Sequence, residues 1–298
     1  MLPTFFVINP KAGRSTIDKL ISLLRFRFSS TTSEIYTTTR AREATDVARE
    51  AAKSFPFVVA VGGDGTINEV ANGLVGTASS LGILPAGSGN DFARTLQLPS
   101  TLNERIEVLA RQKVRIIDIG KIIASDNRGL VTSRQFVNAV GIGLDAQVAY
   151  EALKVPRMFG TAKYAVSALR CLFKYSPEIT RVQFDGHESV GKHNLISIGN
   201  GRSAGGGFYL TPQALLDDGL LDVCLAQDLS QVETLFVFPF VLFGRHGIFR
   251  KVRLFKTKRI TISSGTDMFV HVDGEVLASD QRSVEVELNR QALSVVVP

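Results

Sequence analysis

With 298 residues, 45% hydrophobic and 21% charged, the chain can fill two modest domains or one large one, two being the expectation, and it is too apolar for general disorder. Its two cysteines, Cys171 and Cys224, exclude a disulfide framework or a zinc site and read as buried thiols in a reducing compartment. A net charge of +6 favours anionic partners such as a nucleotide, nucleic acid or anionic lipid.

The first part alternates strand and helix signals. Phe5–Ile8 is a short apolar run, with no basic segment before it that would mark a signal peptide. Thr16–Arg27 carries Ile17, Leu20, Ile21 and Leu24 on one helical face. Glu34–Thr38 reads as a second strand and Ala41–Ser54 as a helix. Phe57–Val61 is a run apolar enough for a strand buried on both faces. A helix over Thr66–Val75 and a strand at Leu81–Leu84 follow. Strands separated by helices predict an α/β domain with a mostly parallel sheet over residues 1–125.

From 126 to 298 short β runs dominate, and an antiparallel β-sandwich is expected. The runs are Phe136–Val140, Ile179–Phe184, Leu195–Ile198, Leu221–Ala226, Arg259–Ser263, Phe269–Val272, Val284–Leu288 and Ser294–Val297. Helical stretches at Ala146–Leu153 and Ala162–Phe173 interrupt them. The polar segment Ser125–Ser133 reads as the linker. His187 and His193 sit in a polar stretch and read as solvated. The apolar stretch Leu235–Phe243 is too short to span a bilayer and contains Pro239, so membrane contact is expected to be peripheral. Beside it, no Asp or Glu occurs from Thr234 to Thr266, while Arg245, Arg250, Lys251, Arg253, Lys256, Lys258 and Arg259 do.

The most informative segment is Val58–Glu69, VVAVGGDGTINE. A buried strand runs into Gly62, Gly63, Asp64 and Gly65, then into a helix. Glycines let backbone N–H groups approach phosphate oxygens, and the helix N-terminus adds its positive dipole end. An Asp inside an anion site repels phosphate unless a Mg²⁺ bridges the two. An ordinary strand-to-helix turn is the competing reading. A second such turn lowers its weight: Leu81–Leu84 leads into Pro85-Ala86-Gly87-Ser88-Gly89-Asn90-Asp91-Phe92, where Asn90 or Asp91 would also serve as a helix cap.

Together, GGDGTINE, PAGSGNDFAR and the late HVDGE resemble the diacylglycerol kinase catalytic family, and the small bacterial lipid kinases in particular. Sphingosine and ceramide kinases are relatives. NPKAG, FVNAVGIGLDA and LLDDGLLDV extend the resemblance over nearly the whole chain. It implies an NAD kinase-like N-terminal domain and ATP bound in a cleft beside the β-sandwich. It further implies that Asn9, Lys11, Gly13, Thr38, Gly62, Gly63, Asp64, Gly65, Thr66, Ile67, Asn68, Ser88 and Asn90 line the nucleotide, with Asp64 and Asp91 around a catalytic Mg²⁺. Asp218, with the carbonyls of Leu215 and Leu220, is the implied structural Mg²⁺ site; on its own that stretch reads as a turn. In His271-Val272-Asp273-Gly274-Glu275 the resemblance makes Glu275 the proton acceptor and Asp273 its helper. Read alone, Asp-Gly is a hairpin signal.

The expected function is an ATP- and Mg²⁺-dependent lipid kinase, cytoplasmic and peripheral at the membrane. Its expected partners are a lipid substrate, an anionic membrane surface and a second copy of the chain. Nucleic acid is not among them, because no aromatic-interleaved binding motif accompanies the basic run. The competing functions are an NAD kinase-like enzyme acting on a soluble nucleotide, which shares GGDGT, and a non-catalytic lipid-binding regulator on the same fold.

Overall fold

The computed structural model describes residues 2–11, 17–28, 33–155, 161–172 and 175–298, with the backbone alone at 17–19, 161–164 and 278–279. They form two compact units, one of residues 1–117 with 291–298 and one of residues 118–290. The division thus falls ahead of the expected 125/126 boundary, and the C-terminal eight residues return to the first unit.

The first unit contains β1 (Thr4–Ile8), α1 (Ile17–Arg27), β2 (Ser33–Thr37), α2 (Glu43–Ala51), β3 (Phe57–Gly62), α3 (Asp64–Leu74), β4 (Ser80–Pro85), α4 (Asp91–Thr95) and α5 (Leu102–Arg111). β1 pairs in parallel with β2 and β3, and β3 in parallel with β4. Ser294 and Val295 lie parallel to Ser80 and Leu81. Every residue of β3 and β4 is buried, as a strand covered on both faces requires. Phe6, Leu24, Val59, Leu84 and Ile106 share one core. α2 and α3 pack closely: a Cβ on Gly73 would lie 2.4 Å from the Thr45 carbonyl oxygen.

The second unit contains most of β5 (Val114–Asp126), then β6 (Val131–Phe136), β7 (Ala139–Gly143), α6 (Leu144–Lys154), α7 (Thr161–Leu172), β8 (Ile179–Phe184), β9 (His187–Gly199), β10 (Leu221–Gln227), α8 (Gln231–Leu242), β11 (Val252–Thr257), β12 (Arg259–Val272) and most of β13 (Glu275–Val296). Its pairings are antiparallel: β5 with β6, β9 with β7, β8 and β10, β10 with β11, and β12 with β7, β8 and β13. β8 alternates exposed and buried residues along its length, the period of a strand with one face on the core.

Two expectations change. The linker at 125–133 is instead a hairpin joining β5 to β6. Asp126 Oδ1 accepts from the N–H groups of Arg128 and Leu130 at 2.9 and 2.8 Å, and Gly129 takes φ 80°. Phe136–Val140 is split between β6 and β7. Leu235–Phe243 lies mostly within α8, which starts on a reciprocal Ser230–Glu233 capping box and tolerates Pro239.

Phe136 is fully buried, and its ring covers Gly120, where an added Cβ would lie 2.0 Å from it. Phe136→Ala is expected to lower the unfolding free energy of this unit by about 3–5 kcal/mol. Urea unfolding followed by circular dichroism measures it, and a loss below about 1 kcal/mol would contradict this packing.

Candidate active site

In the first unit, β3 and β4 end side by side and each opens into a glycine loop. The Ala86 N–H donates to the Gly62 carbonyl at 2.8 Å and ties the loops together. A Cβ on Gly87 would stand 2.5 Å from the Cα of Gly63, so hydrogen is the only substituent that fits. Asn90, at φ 53°, closes the second loop: its Oδ1 accepts from the Gly87 N–H at 3.0 Å and its Nδ2 donates to the Gly87 carbonyl at 2.9 Å. Ser88 is exposed at the tip. Gly63 precedes α3 and brings no capping side chain, so the first turn presents backbone N–H groups and the positive dipole end, the arrangement that holds phosphate.

Asp64 and Asp91 flank Gly89, where a Cβ would lie 2.7 Å from Asp64 Oδ2 and 3.4 Å from Asp91 Oδ2. Asp91 is buried and accepts from Arg94 Nη1 at 2.9 Å; the same nitrogen donates to the Gly89 carbonyl. Two carboxylates beside the paired glycine loops fit a Mg²⁺.

The remaining nucleotide candidates divide. Asn9 Nδ2 donates to Thr66 Oγ1 at 3.0 Å and Asn9 Oδ1 accepts from the Lys11 N–H at 3.0 Å, so these three adjoin α3. Gly65 lies in the first turn of α3. Thr38 is buried, its hydroxyl donating to the Ile8 carbonyl at 3.2 Å. The Ile67 and Asn68 side chains are buried, and the Asn68 carbonyl accepts from Asn72 Nδ2. Gly13 lies outside the described residues.

In the second unit, Asp273 sits at φ 48° and is buried. Its Oδ2 accepts from the Val137 N–H and its Oδ1 from the N–H groups of Asn138 and Ala139, all at 2.9 Å. Both oxygens are spent on the bend between β6 and β7. Glu275 is half exposed and accepts from Arg134 Nη2 at 2.6 Å through Oε2. Arg134 carried no signal in the sequence. His271 and Asp145, both inside recognised motifs yet without a role, face each other at 3.2 Å.

Asp218 Oδ2 accepts from Lys256 Nζ at 2.6 Å, and the same ammonium lies 3.2 Å from Asp222 Oδ2. Burial pushes the Asp222 carboxyl up, against the pull of Lys256. A Mg²⁺ on Asp218 and the carbonyls of Leu215 and Leu220 would have to displace this ammonium, so the arrangement does not fit the expected ion. Among the described residues no cluster of three or more His, Cys, Asp or Glu could hold a metal.

An apolar cavity lies among α6, α7, α8, β9 and β10, with Val148, Leu172, Phe208, Leu235, Phe238 and Val241 in its wall. Cys224 lines it too; burial, then the charge of Asp145, pushes its thiol up to about 12, which leaves it inert. His193 is not solvated: it is buried between Thr180 Oγ1 and Ser189 Oγ, and burial lowers it to about 4, so it stays neutral.

Residues 3–122 match the model of the diacylglycerol kinase catalytic domain, and residues 138–297 that of the YegS C-terminal NAD kinase beta sandwich-like domain. A diacylglycerol kinase of Staphylococcus saprophyticus is 30% identical over 275 residues, covering 90% of this chain and 87% of the relative. A diacylglycerol kinase of Bacillus subtilis is 30% identical over 276 residues, covering 90% and 88%. Among solved structures, a diacylglycerol kinase from Bacillus anthracis superposes with a TM-score of 0.72 at 22% identity, covering 99% of this chain and 97% of that one. A yeast NADH kinase complexed with NADH shares the fold alone, with a TM-score of 0.54 at 13% identity, covering 100% and 84%. The chain belongs to the diacylglycerol kinase catalytic family.

Proposed function

We propose that this ATP-dependent lipid kinase phosphorylates a hydroxyl of diacylglycerol or a related lipid, with the acyl portion received by the cavity beside α8. The apolar wall of that cavity carries the reading, because a soluble nucleotide acceptor would find few polar partners there. The paired glycine loops suit the phosphates of ATP. Asp64 and Asp91 would hold Mg²⁺, which when bound neutralises charge on the transferring phosphoryl group. Glu275, oriented by Arg134 through Oε2, takes the proton of the attacking hydroxyl. Asp273 supports this turn through the backbone of Val137–Ala139 and takes no proton.

Asp64→Asn keeps the shape of the loop but halves the charge available beside the phosphates. Turnover is expected to fall at least 100-fold with melting temperature unchanged, in a labelled-ATP assay. Activity within threefold of wild type would remove Asp64 from the metal role.

Glu275→Gln and Asp273→Asn separate chemistry from support. Glu275→Gln is expected to lower kcat by roughly 10²–10⁴-fold with little change in ATP affinity. Asp273→Asn is expected to cost on the order of 1.5–3 kcal/mol of stability, the loss of hydrogen bonds to a charged acceptor. Calorimetry and steady-state kinetics on both variants check this. A collapse of ATP affinity in Glu275→Gln would make it a nucleotide contact.

No helix among the described residues is long and apolar enough to cross a membrane. The membrane-facing surface is read from the far side of α8 and the segment after it, where Phe236, Phe243 and Ile248 are 67%, 76% and 71% exposed. The basic run beside it is smaller than its count suggests. Lys251 pairs with Glu233, Lys256 with Asp218 and Asp222, and Arg259 with Glu285. Arg245, Arg250, Arg253 and Lys258 are exposed. Each basic residue at an anionic bilayer contributes about 1 kcal/mol. Arg250→Glu with Lys258→Glu is therefore expected to weaken binding to phosphatidylserine-containing vesicles at least 30-fold, while activity on short-chain soluble lipid holds. Undiminished sedimentation with vesicles would contradict this surface.

A further inference from the structure

In the first unit α5 lies against β4. A Cβ on Gly82 would stand 2.7 Å from Leu109 Cδ2, so strand and helix meet closely there. Arg105 is one turn before Leu109 and shares its face of the helix. The N-cap Thr101 fixes the start of that helix, its hydroxyl accepting from the Glu104 N–H at 3.3 Å. From this base the half-buried Arg105 reaches the end of β4. Its Nη1 donates to the Pro85 carbonyl at 3.4 Å and its Nε to the Pro99 carbonyl at 2.6 Å. Burial lowers the guanidinium below its usual value, but an arginine stays charged in a protein.

Pro85 is the last residue of β4 and opens the second glycine loop. Proline has no N–H, so the next donor along the strand is that of Ala86. The Pro85 carbonyl and the Ala86 N–H belong to one planar trans peptide and point to opposite sides. The Ala86 N–H donates to the Gly62 carbonyl at 2.8 Å, while the Pro85 carbonyl accepts from Arg105. The peptide is thus held at both ends, by β3 on one side and by α5 on the other. Its plane sets the direction in which the chain leaves β4. Two residues after Pro85, Gly87 meets Gly63 with no room for a Cβ, so a tilt of this peptide would part the two loops. A planar fork suits the task, because it can donate to two carbonyls from a fixed geometry, whereas an ammonium is a point charge on a flexible stem.

Resting on the reading above that the paired glycine loops hold the phosphates of ATP, we propose that Arg105 is a positioning residue for ATP. By bridging the carbonyls of Pro85 and Pro99 it fixes the peptide that opens the second glycine loop. It acts through the loop and not by contact with the nucleotide.

The test measures calorimetric binding of ATP with Mg²⁺ to the full-length chain, to Arg105→Met and to Arg105→Lys. Hydrogen exchange over residues 86–90 and the melting temperature are read on each. Arg105→Met keeps the apolar stem and removes both donors. It is expected to bind ATP about tenfold more weakly, as the loss of a hydrogen bond from a charged donor implies. Exchange of the Ala86 amide is expected to quicken in the same variant. Arg105→Lys is expected to fall between it and the wild type, and it decides the matter if Arg105→Met fails to fold. Wild-type ATP affinity in a folded Arg105→Met overturns the proposal. So does a lowered melting temperature with ATP affinity intact, which would make Arg105 a support of the helix alone. The reading beneath the proposal is tested on the wild type, where ATP is expected to slow exchange over residues 86–90. No protection there would sink the loop as a phosphate site and the role of Arg105 with it. Protection in the wild type beside undiminished affinity in Arg105→Met would sink the role of Arg105 and leave the loop.

Discussion

Two backbones cannot approach more closely than their substituents allow, and at Gly63 and Gly87 the substituent is hydrogen. A Cβ on Gly87 would fall 2.5 Å from the neighbouring Cα, well inside van der Waals contact. The nucleotide half of the proposed chemistry depends on this approach. It lets the turns after β3 and β4 share one edge, brings Asp64 and Asp91 to either side of Gly89, and leaves the first turn of α3 facing the same space. Two buried parallel strands supply the rigidity, since neither can shift without moving a core of Phe6, Val59 and Leu84.

The second unit handles charge differently. Its carboxylates are assigned one by one to specific partners. Asp273 is committed to three backbone N–H groups, Asp218 and Asp222 to one ammonium, and Glu275 to one guanidinium through one oxygen. That accounting distinguishes Asp273 from the proposed proton acceptor two residues away. A buried carboxylate with both oxygens occupied is a poor proton acceptor, whereas a half-exposed one held at a single oxygen keeps the other for chemistry.

Some of this was legible in the sequence because the signal was local. A strand running into Gly62–Gly65 and a helix, and a second one running into Gly87–Asp91, carry their geometry in adjacent residues. The linker was misread because a hairpin turn such as Asp126–Leu130 uses the same polar and glycine residues as a flexible connection. α8 was hidden because it is apolar on nearly every side, so no helical period stands out, and Pro239 argues against a helix until the capping box at Ser230 is noticed. The partners of Asp273 lie more than 130 residues upstream, as does Arg134 for Glu275, and no spacing rule reaches that far. Counting the basic residues of 245–259 overstated the exposed charge, because Glu233, Asp218 and Glu285, which neutralise part of it, lie outside the run.

The central claim is that the glycine loops deliver a phosphoryl group to a lipid hydroxyl and not to a nucleotide, although the fold is shared with an NADH kinase. The most direct measurement supplies γ-labelled ATP and Mg²⁺ to the purified chain with dioctanoylglycerol and NAD together, then separates organic and aqueous products. The account predicts label in the lipid phase and none in NADP. Label in NADP with an unlabelled lipid phase would contradict it.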